Sequence, residues 1–161
     1  MNNVQITKIL KKELKRTFKG VYPIDKLLKI KRGVPAAIVV NTDESFRSGR
    51  HWLAIYIEEN GTGYFFDSFG RRPAERMETF LDLRCEKWYF CEKMVQNPVT
   101  GVCGGYCIWF LVYFHYKRNV RGFYNLFSSN LLKNDRKVVN YIENEYGVEI
   151  MLFPSLRFKL K

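Results

Sequence analysis

Residues 96–107 read QNPVTGVCGGYC. A glutamine stands seven residues ahead of Cys103, glycines lie on both sides of the cysteine, and an apolar run from Tyr106 to Phe114 follows. The pattern predicts a loop that delivers a thiol to the first turn of a buried helix. The unpaired N–H groups and the positive dipole end at such a turn favour the thiolate, the form of cysteine that attacks carbonyls. A cysteine among glycines at a helix start is also what close backbone packing selects, so the loop needs partners before it is chemistry.

The partners lie upstream. HWLAIYI (51–57) reads as a strand opening on a histidine, YFFDSFG (64–70) as a strand ending on a carboxylate, and the intervening ENGTG (59–63) carries hairpin-turn residues. Antiparallel pairing places His51 and Asp67 at the same end of the two strands. A thiol nucleophile needs a base, a group to orient that base, and donors for the oxyanion. Cys103, His51, Asp67 and Gln96 fill these roles in turn. The other histidine, His115, lies twelve residues after Cys103 on the same predicted helix, roughly 18 Å away at the α-helical rise. It is expected on the helix surface or as a cap.

The chain has 161 residues, 47% of them hydrophobic and 16% aromatic, which is enough for one core and too little for two. One α+β domain over residues 1–161 is expected, with a central mixed or antiparallel sheet flanked by helices. A first helix is predicted over residues 4–19, with Ile6, Ile9, Leu10, Leu14 and Phe18 on one face and Gly20 as its stop. Strands are predicted over 36–42, 51–58, 64–68 and 87–95. A helix is predicted between Pro73 and Leu83, and a last one over 135–146, stopped by Gly147. The longest apolar run is about half of a membrane span, and lysines interrupt any signal-peptide core at the amino terminus. A soluble intracellular protein is expected.

Lysine and arginine total 27 against 16 acidic residues, a net charge of +11. Lys8, Lys11, Lys12, Lys15 and Lys19 form a stripe on the predicted first helix, and further clusters occur at Lys29-Lys31-Arg32, Arg71-Arg72 and Arg157-Lys159-Lys161. Such a stripe is the ordinary look of a solvated helix face, yet an excess this large in a small domain favours a polyanionic partner. Four cysteines in an intracellular chain do not make a disulfide framework. Cys107 is expected in the core. Cys85 and Cys91 lack nearby histidines, so no metal site is expected.

The order His, acid, Gln, Cys, set in HWLAIYI, FFDSFG and QNPVTGVCGGYC, resembles the processing cysteine proteases of adenoviruses and of related polinton-like elements and virophages. The likeness extends to AAIVVNT (36–42) and to the last helix. The wider papain-like clan includes proteases that deconjugate ubiquitin-like proteins and share the Asp-Ser pair. The six residues between Gln96 and Cys103 and the Phe-Gly after Asp-Ser favour the viral branch.

The resemblance implies an adenain-like fold and a viral maturation endopeptidase. In it Cys103 is the nucleophile, His51 the general base and Asp67 its orienter, in place of the usual adenoviral glutamate. The Gln96 side chain and the Cys103 N–H would form the oxyanion hole. Trp52 would pack beside the imidazole or simply in the core. The resemblance further implies capsid precursors cleaved at glycine-containing sites, and DNA as a cofactor met by the basic residues. An activating peptide cut from a capsid precursor would be disulfide-bonded to Cys85, which otherwise reads as an ordinary thiol. The resemblance implies neither metal nor small-molecule cofactor, and a monomer. Two alternatives stay open: a deconjugating protease for ubiquitin-like modifiers, and a non-catalytic basic DNA-binding virion protein.

Overall fold

The computed structural model describes residues 1–46 and 51–153. The Arg157-Lys159-Lys161 cluster lies outside them, as does Arg50. Five strands form one mixed sheet in the order β1-β2-β3-β4-β5: β1 (Phe18–Pro23), β2 (Ala36–Asn41), β3 (Trp52–Ile57), β4 (Thr62–Phe66) and β5 (Lys87–Tyr89). The central pairs β2/β3 and β3/β4 are antiparallel, while the outer pairs β1/β2 and β4/β5 are parallel. The predicted hairpin is present: Gly61 takes a φ of +79°, and the Glu58 N–H donates to the Thr62 carbonyl at 2.9 Å.

β2 and β3 are buried along their whole length because both sheet faces are covered. On one face lie α1 (Asn3–Leu14), α3 (Cys103–Lys117) and α5 (Leu131–Tyr146), packed over Ala37, Val39, Ala54, Tyr56 and Phe66. On the other, α2 (Glu75–Arg84) and a 3₁₀ turn cover Ile38, Val40, Leu53, Ile55 and Phe65. The odd and even residues of each strand thus serve two cores, the period-2 rule applied twice. The short α4 (Val120–Tyr124) follows α3 and contributes Phe123, stacked edge-on to Phe66 and Phe110.

Several boundaries differ from those predicted. The first helix stops at Leu14, not Lys19: Lys15 takes a positive φ, a 3₁₀ turn follows, and Phe18 opens β1. Pairing with β2 wins over the helical spacing of Phe18 and Lys19. The lysine stripe is split accordingly. Lys8, Lys11 and Lys12 ride on α1, Lys15 lies beyond its end, and Lys19 sits in β1 with its amine on the Arg16 carbonyl. The strand predicted over 87–95 ends at Tyr89, where the ladder with β4 ends, and the chain runs on without regular structure to Cys103. The last helix starts four residues earlier than predicted, because Asn130 caps it by accepting from the Lys133 N–H.

No helix among the described residues is long and apolar enough to cross a membrane.

Candidate active site

The β3–β4 register pairs Ala54 with Phe66, so His51, just before β3, and Asp67, just after β4, leave the sheet at the same edge. His51 Nε2 lies 2.7 Å from Asp67 Oδ1. Asp67 also accepts from the Phe69 N–H at 2.9 Å and from Arg71 Nε at 2.9 Å. The Phe69 ring stacks on the imidazole at 4.6 Å, and the Arg71 guanidinium lies over the far partner of that stack, 4.9 Å from the Phe69 centroid. A tight turn makes this possible: the Gly70 N–H donates to the Asp67 carbonyl, and Gly70 takes a φ of +66° against the Glu92 backbone, where a Cβ has no room.

Cys103 opens α3, where its own N–H and that of Gly104 have no acceptor inside the helix. The helix is seated tightly. A side chain on Gly105 would meet Val138 of α5, and one on Gly104 would crowd Ile6, Met1 and Trp52. The Cys103 sulfur lies within electrostatic reach of His51. Burial works to discharge the imidazole, but the hydrogen bonds and charges of Asp67 and Cys103 outweigh it and push the pKa up to about 9. Burial likewise opposes ionisation of Asp67, and His51, the Phe69 amide and Arg71 together hold its carboxyl below the usual value. The histidine is therefore charged at neutral pH, with the Asp67 carboxylate on its Nε2 and the Cys103 sulfur nearby.

Gln96 is buried and fixed at both ends of its amide. Its Oε1 accepts from the Ser68 hydroxyl at 2.6 Å, and its Nε2 donates to the Thr100 carbonyl at 3.0 Å. A carbonyl cannot donate, so the nitrogen must face Thr100. The Ser68 carbonyl also receives the Val95 and Gln96 N–H groups. The pair Asp67-Ser68 thus holds the imidazole with one residue and the glutamine with the next.

The remaining expected residues are placed apart from this cluster. Trp52 packs in the α1/α3 core beside Gly104, and it is Phe69 that covers the imidazole. His115 lies towards the far end of α3, its Nδ1 3.0 Å from the Tyr56 hydroxyl, and burial followed by Arg118 lowers its pKa. Cys107 is in the core, where burial raises its thiol well above the ordinary value. Cys85 follows α2 with its sulfur against Gly63, and burial with the Asp82 charge pushes it up to about 11. No group of three or more potential metal ligands occurs among the described residues. Sequence reasoning missed Phe69 and Arg71 as site residues. Their signal was the run DSFGRR itself, in which a tight turn brings the Phe69 N–H and the Arg71 guanidinium to the carboxylate and the Phe69 ring onto the imidazole.

No family model matches the chain. A curated relative, the protease of porcine adenovirus A serotype 3, is 32% identical over an alignment of 92 residues that covers 47% of this chain and 45% of the relative. The chain thus spans about half the length of the curated relative it matches. Among solved structures, the ASFV pS273R protease superposes with a TM-score of 0.54 at 17% identity, over 70% of this chain and 56% of the other. ChlaDub1 from Chlamydia trachomatis also gives 0.54, at 11% identity over 75% of this chain and 72% of the other. These two share the mixed sheet flanked by helices, and with the adenoviral relative they bear out the resemblance drawn from the sequence motifs: the chain has the fold of these proteases and is similar in sequence to an adenovirus protease.

Proposed function

We propose that this chain is a viral cysteine endopeptidase that uses Cys103, His51, Asp67 and Gln96. The observation that carries the reading is the position of His51, hydrogen-bonded to Asp67 through Nε2 and within electrostatic reach of the Cys103 sulfur. A protonated imidazole beside sulfur stabilises a thiolate. The thiolate attacks the scissile carbonyl, and His51 gives its proton to the leaving amine. The thioester is then hydrolysed by water that His51 deprotonates. Asp67 keeps the ring oriented throughout and favours its charged form whenever it holds the proton. The oxyanion is met by the Cys103 N–H and by the Gln96 amide hydrogen not used by the Thr100 carbonyl.

The substrate side of the proposal follows the adenoviral resemblance: virion precursor polypeptides cut at glycine-containing sites. DNA contact through Lys8, Lys11, Lys12 and Lys15 belongs to the same reading and predicts binding that weakens steeply with salt. A capsid-precursor peptide bonded to Cys85 would have to draw on a thiol held protonated at neutral pH.

The test is incubation of the protein and of Cys103→Ala with glycine-containing precursor peptides and, in parallel, with ubiquitin-like fusions. Cleavage of the peptides by the wild type, and none by the variant, is expected. Cleavage of the fusions alone would assign the site to a deconjugating protease. Cleavage retained by the variant would remove Cys103 from the mechanism.

A further inference from the structure

The segment from Phe90 to Val102 carries Gln96 yet has no regular secondary structure, and it is pinned by buried polar groups from three other elements. Ser68 receives the Val95 and Gln96 N–H groups. The second clamp comes from α5. Asn134 donates its side-chain amide to the Val95 carbonyl at 3.1 Å, while Asp135 meets the Asn97 N–H at 3.2 Å, the Thr100 hydroxyl at 2.8 Å and the Tyr106 hydroxyl at 2.9 Å. Asp135 is 0% exposed, and none of the ion pairs among the described residues involves it.

A buried carboxyl with only neutral partners is costly, and an apolar residue would anchor a loop more cheaply. What the carboxyl supplies is angular definition. It ties Asn97 and Thr100, the residues that bracket the Gln96 turn, to Tyr106 in the first turn of the nucleophile helix. We propose that Asp135 is a positioning residue of the oxyanion site, which holds the 95–100 segment in register with α3 so that Gln96 faces the carbon attacked by Cys103. The proposal rests on the protease reading and adds to it a residue 32 positions beyond the nucleophile.

The hydrogen atoms can be followed through the clamp. The Tyr106 hydroxyl lies 2.8 Å from the Val95 carbonyl, and the Thr100 hydroxyl 2.9 Å from the Asn97 carbonyl, so each has a second acceptor besides Asp135. If Thr100 donates to Asn97, the Asp135 oxygen facing it must be the donor, which requires a protonated carboxyl. Burial, the largest influence on Asp135, favours that form. An asparagine satisfies the same pattern: its oxygen accepts from Asn97 and Tyr106, and its amide donates to Thr100.

Three variants decide the matter. Asp135→Ala should lower kcat about 100-fold, the range for a displaced oxyanion donor, with KM changed by less than about twofold. Asp135→Asn should restore kcat to within about threefold of wild type, since it can make the same bonds. Thr100→Val removes one partner without touching α5 and serves where Asp135→Ala does not fold; it should cost about tenfold in kcat at unchanged KM. Alkylation of Cys103 by iodoacetamide needs no oxyanion hole and should stay within about twofold of wild type in all three. A kcat that falls only with the folded fraction, a parallel fall in alkylation, or an Asp135→Asn as impaired as the alanine variant would overturn the proposal.

A structural readout separates this failure from that of the protease reading. The side-chain NH2 protons of Gln96 should exchange with solvent at least about tenfold faster in Asp135→Ala, and at the wild-type rate in Asp135→Asn, whether or not a peptide is cleaved. That pattern in a protein that hydrolyses nothing would defeat the protease reading alone. Full activity in Asp135→Ala would defeat the clamp alone.

Discussion

Asp67 and Asp135 are both buried carboxylates, and each has three hydrogen-bonding partners, but their surroundings differ in one respect. Two of the three partners of Asp67 are a charged ring and a guanidinium. Those of Asp135 are an amide and two hydroxyls. The first carboxyl is held below its ordinary pKa and the second above it, although burial pushes both upward. Asp67 is kept as an anion because its task is to hold a charge on His51. Asp135 bridges backbone and hydroxyl groups, a task that a neutral group performs equally well. Burial alone therefore says nothing about role; the charge of the partners does.

The contrast can be broken at either end. His51→Ala removes both base and acid and should cost about 10⁶-fold in kcat/KM, as in triads whose members act as a unit. Asp67→Ala should cost less, about 10⁴-fold, since the ring remains but loses its orienter. Equal losses, measured on one peptide substrate, would mean that the carboxylate does more than orient. Arg71→Ala leaves Asp67 its ring partner and should cost about tenfold or less, because an exposed guanidinium adds little to a charge already paired. A loss as large as that of Asp67→Ala would make Arg71 an equal part of the site.

The smallest effects are in stability, and they differ in sign. The contribution of His51 is whole below its ordinary 6.5 and is lost as pH rises towards about 9, while that of Asp67 is whole above 3.8 and is lost as pH falls through its lowered value. For Asp135 the sense reverses: its contribution is whole below 3.8 and is lost as pH rises through the raised value. Urea unfolding across this range should show Asp135→Asn gaining on wild type as pH rises, on the order of 1 kcal/mol for each unit of the raised pKa. A variant that instead lost ground with rising pH would contradict the raised pKa of Asp135.

The candidate site was largely legible because its arrangement is local. HWLAIYI and YFFDSFG read as two short strands around a turn sequence, so the meeting of His51 with Asp67 at one end of the pair followed from pattern alone. The glycines beside Cys103 likewise marked a helix start packed closely on its neighbours. Non-local features were not legible. β1 takes its form from parallel pairing with β2, which the helical spacing of Phe18 and Lys19 conceals. Asp135 reads as an ordinary polar residue early in a helix, and its burial depends on a segment nearly forty positions upstream folding back onto α5. Ser68 was quoted as part of a motif, but its grip on Gln96 requires the two strands of chain to be adjacent in space. The Asn130 cap, by contrast, was a local signal that could have placed the start of α5.

The central claim, that Cys103 is the nucleophile of an assembled site, is tested most directly by competition among the four cysteines for iodoacetamide at neutral pH, followed by mass spectrometry of the modified peptides. The account predicts that Cys103 is alkylated ahead of Cys85, whose thiol is held protonated, and of Cys107, which is sealed in the core, and that the advantage disappears in His51→Ala. A Cys103 that reacts no faster than Cys85, or as fast without His51 as with it, would contradict the account.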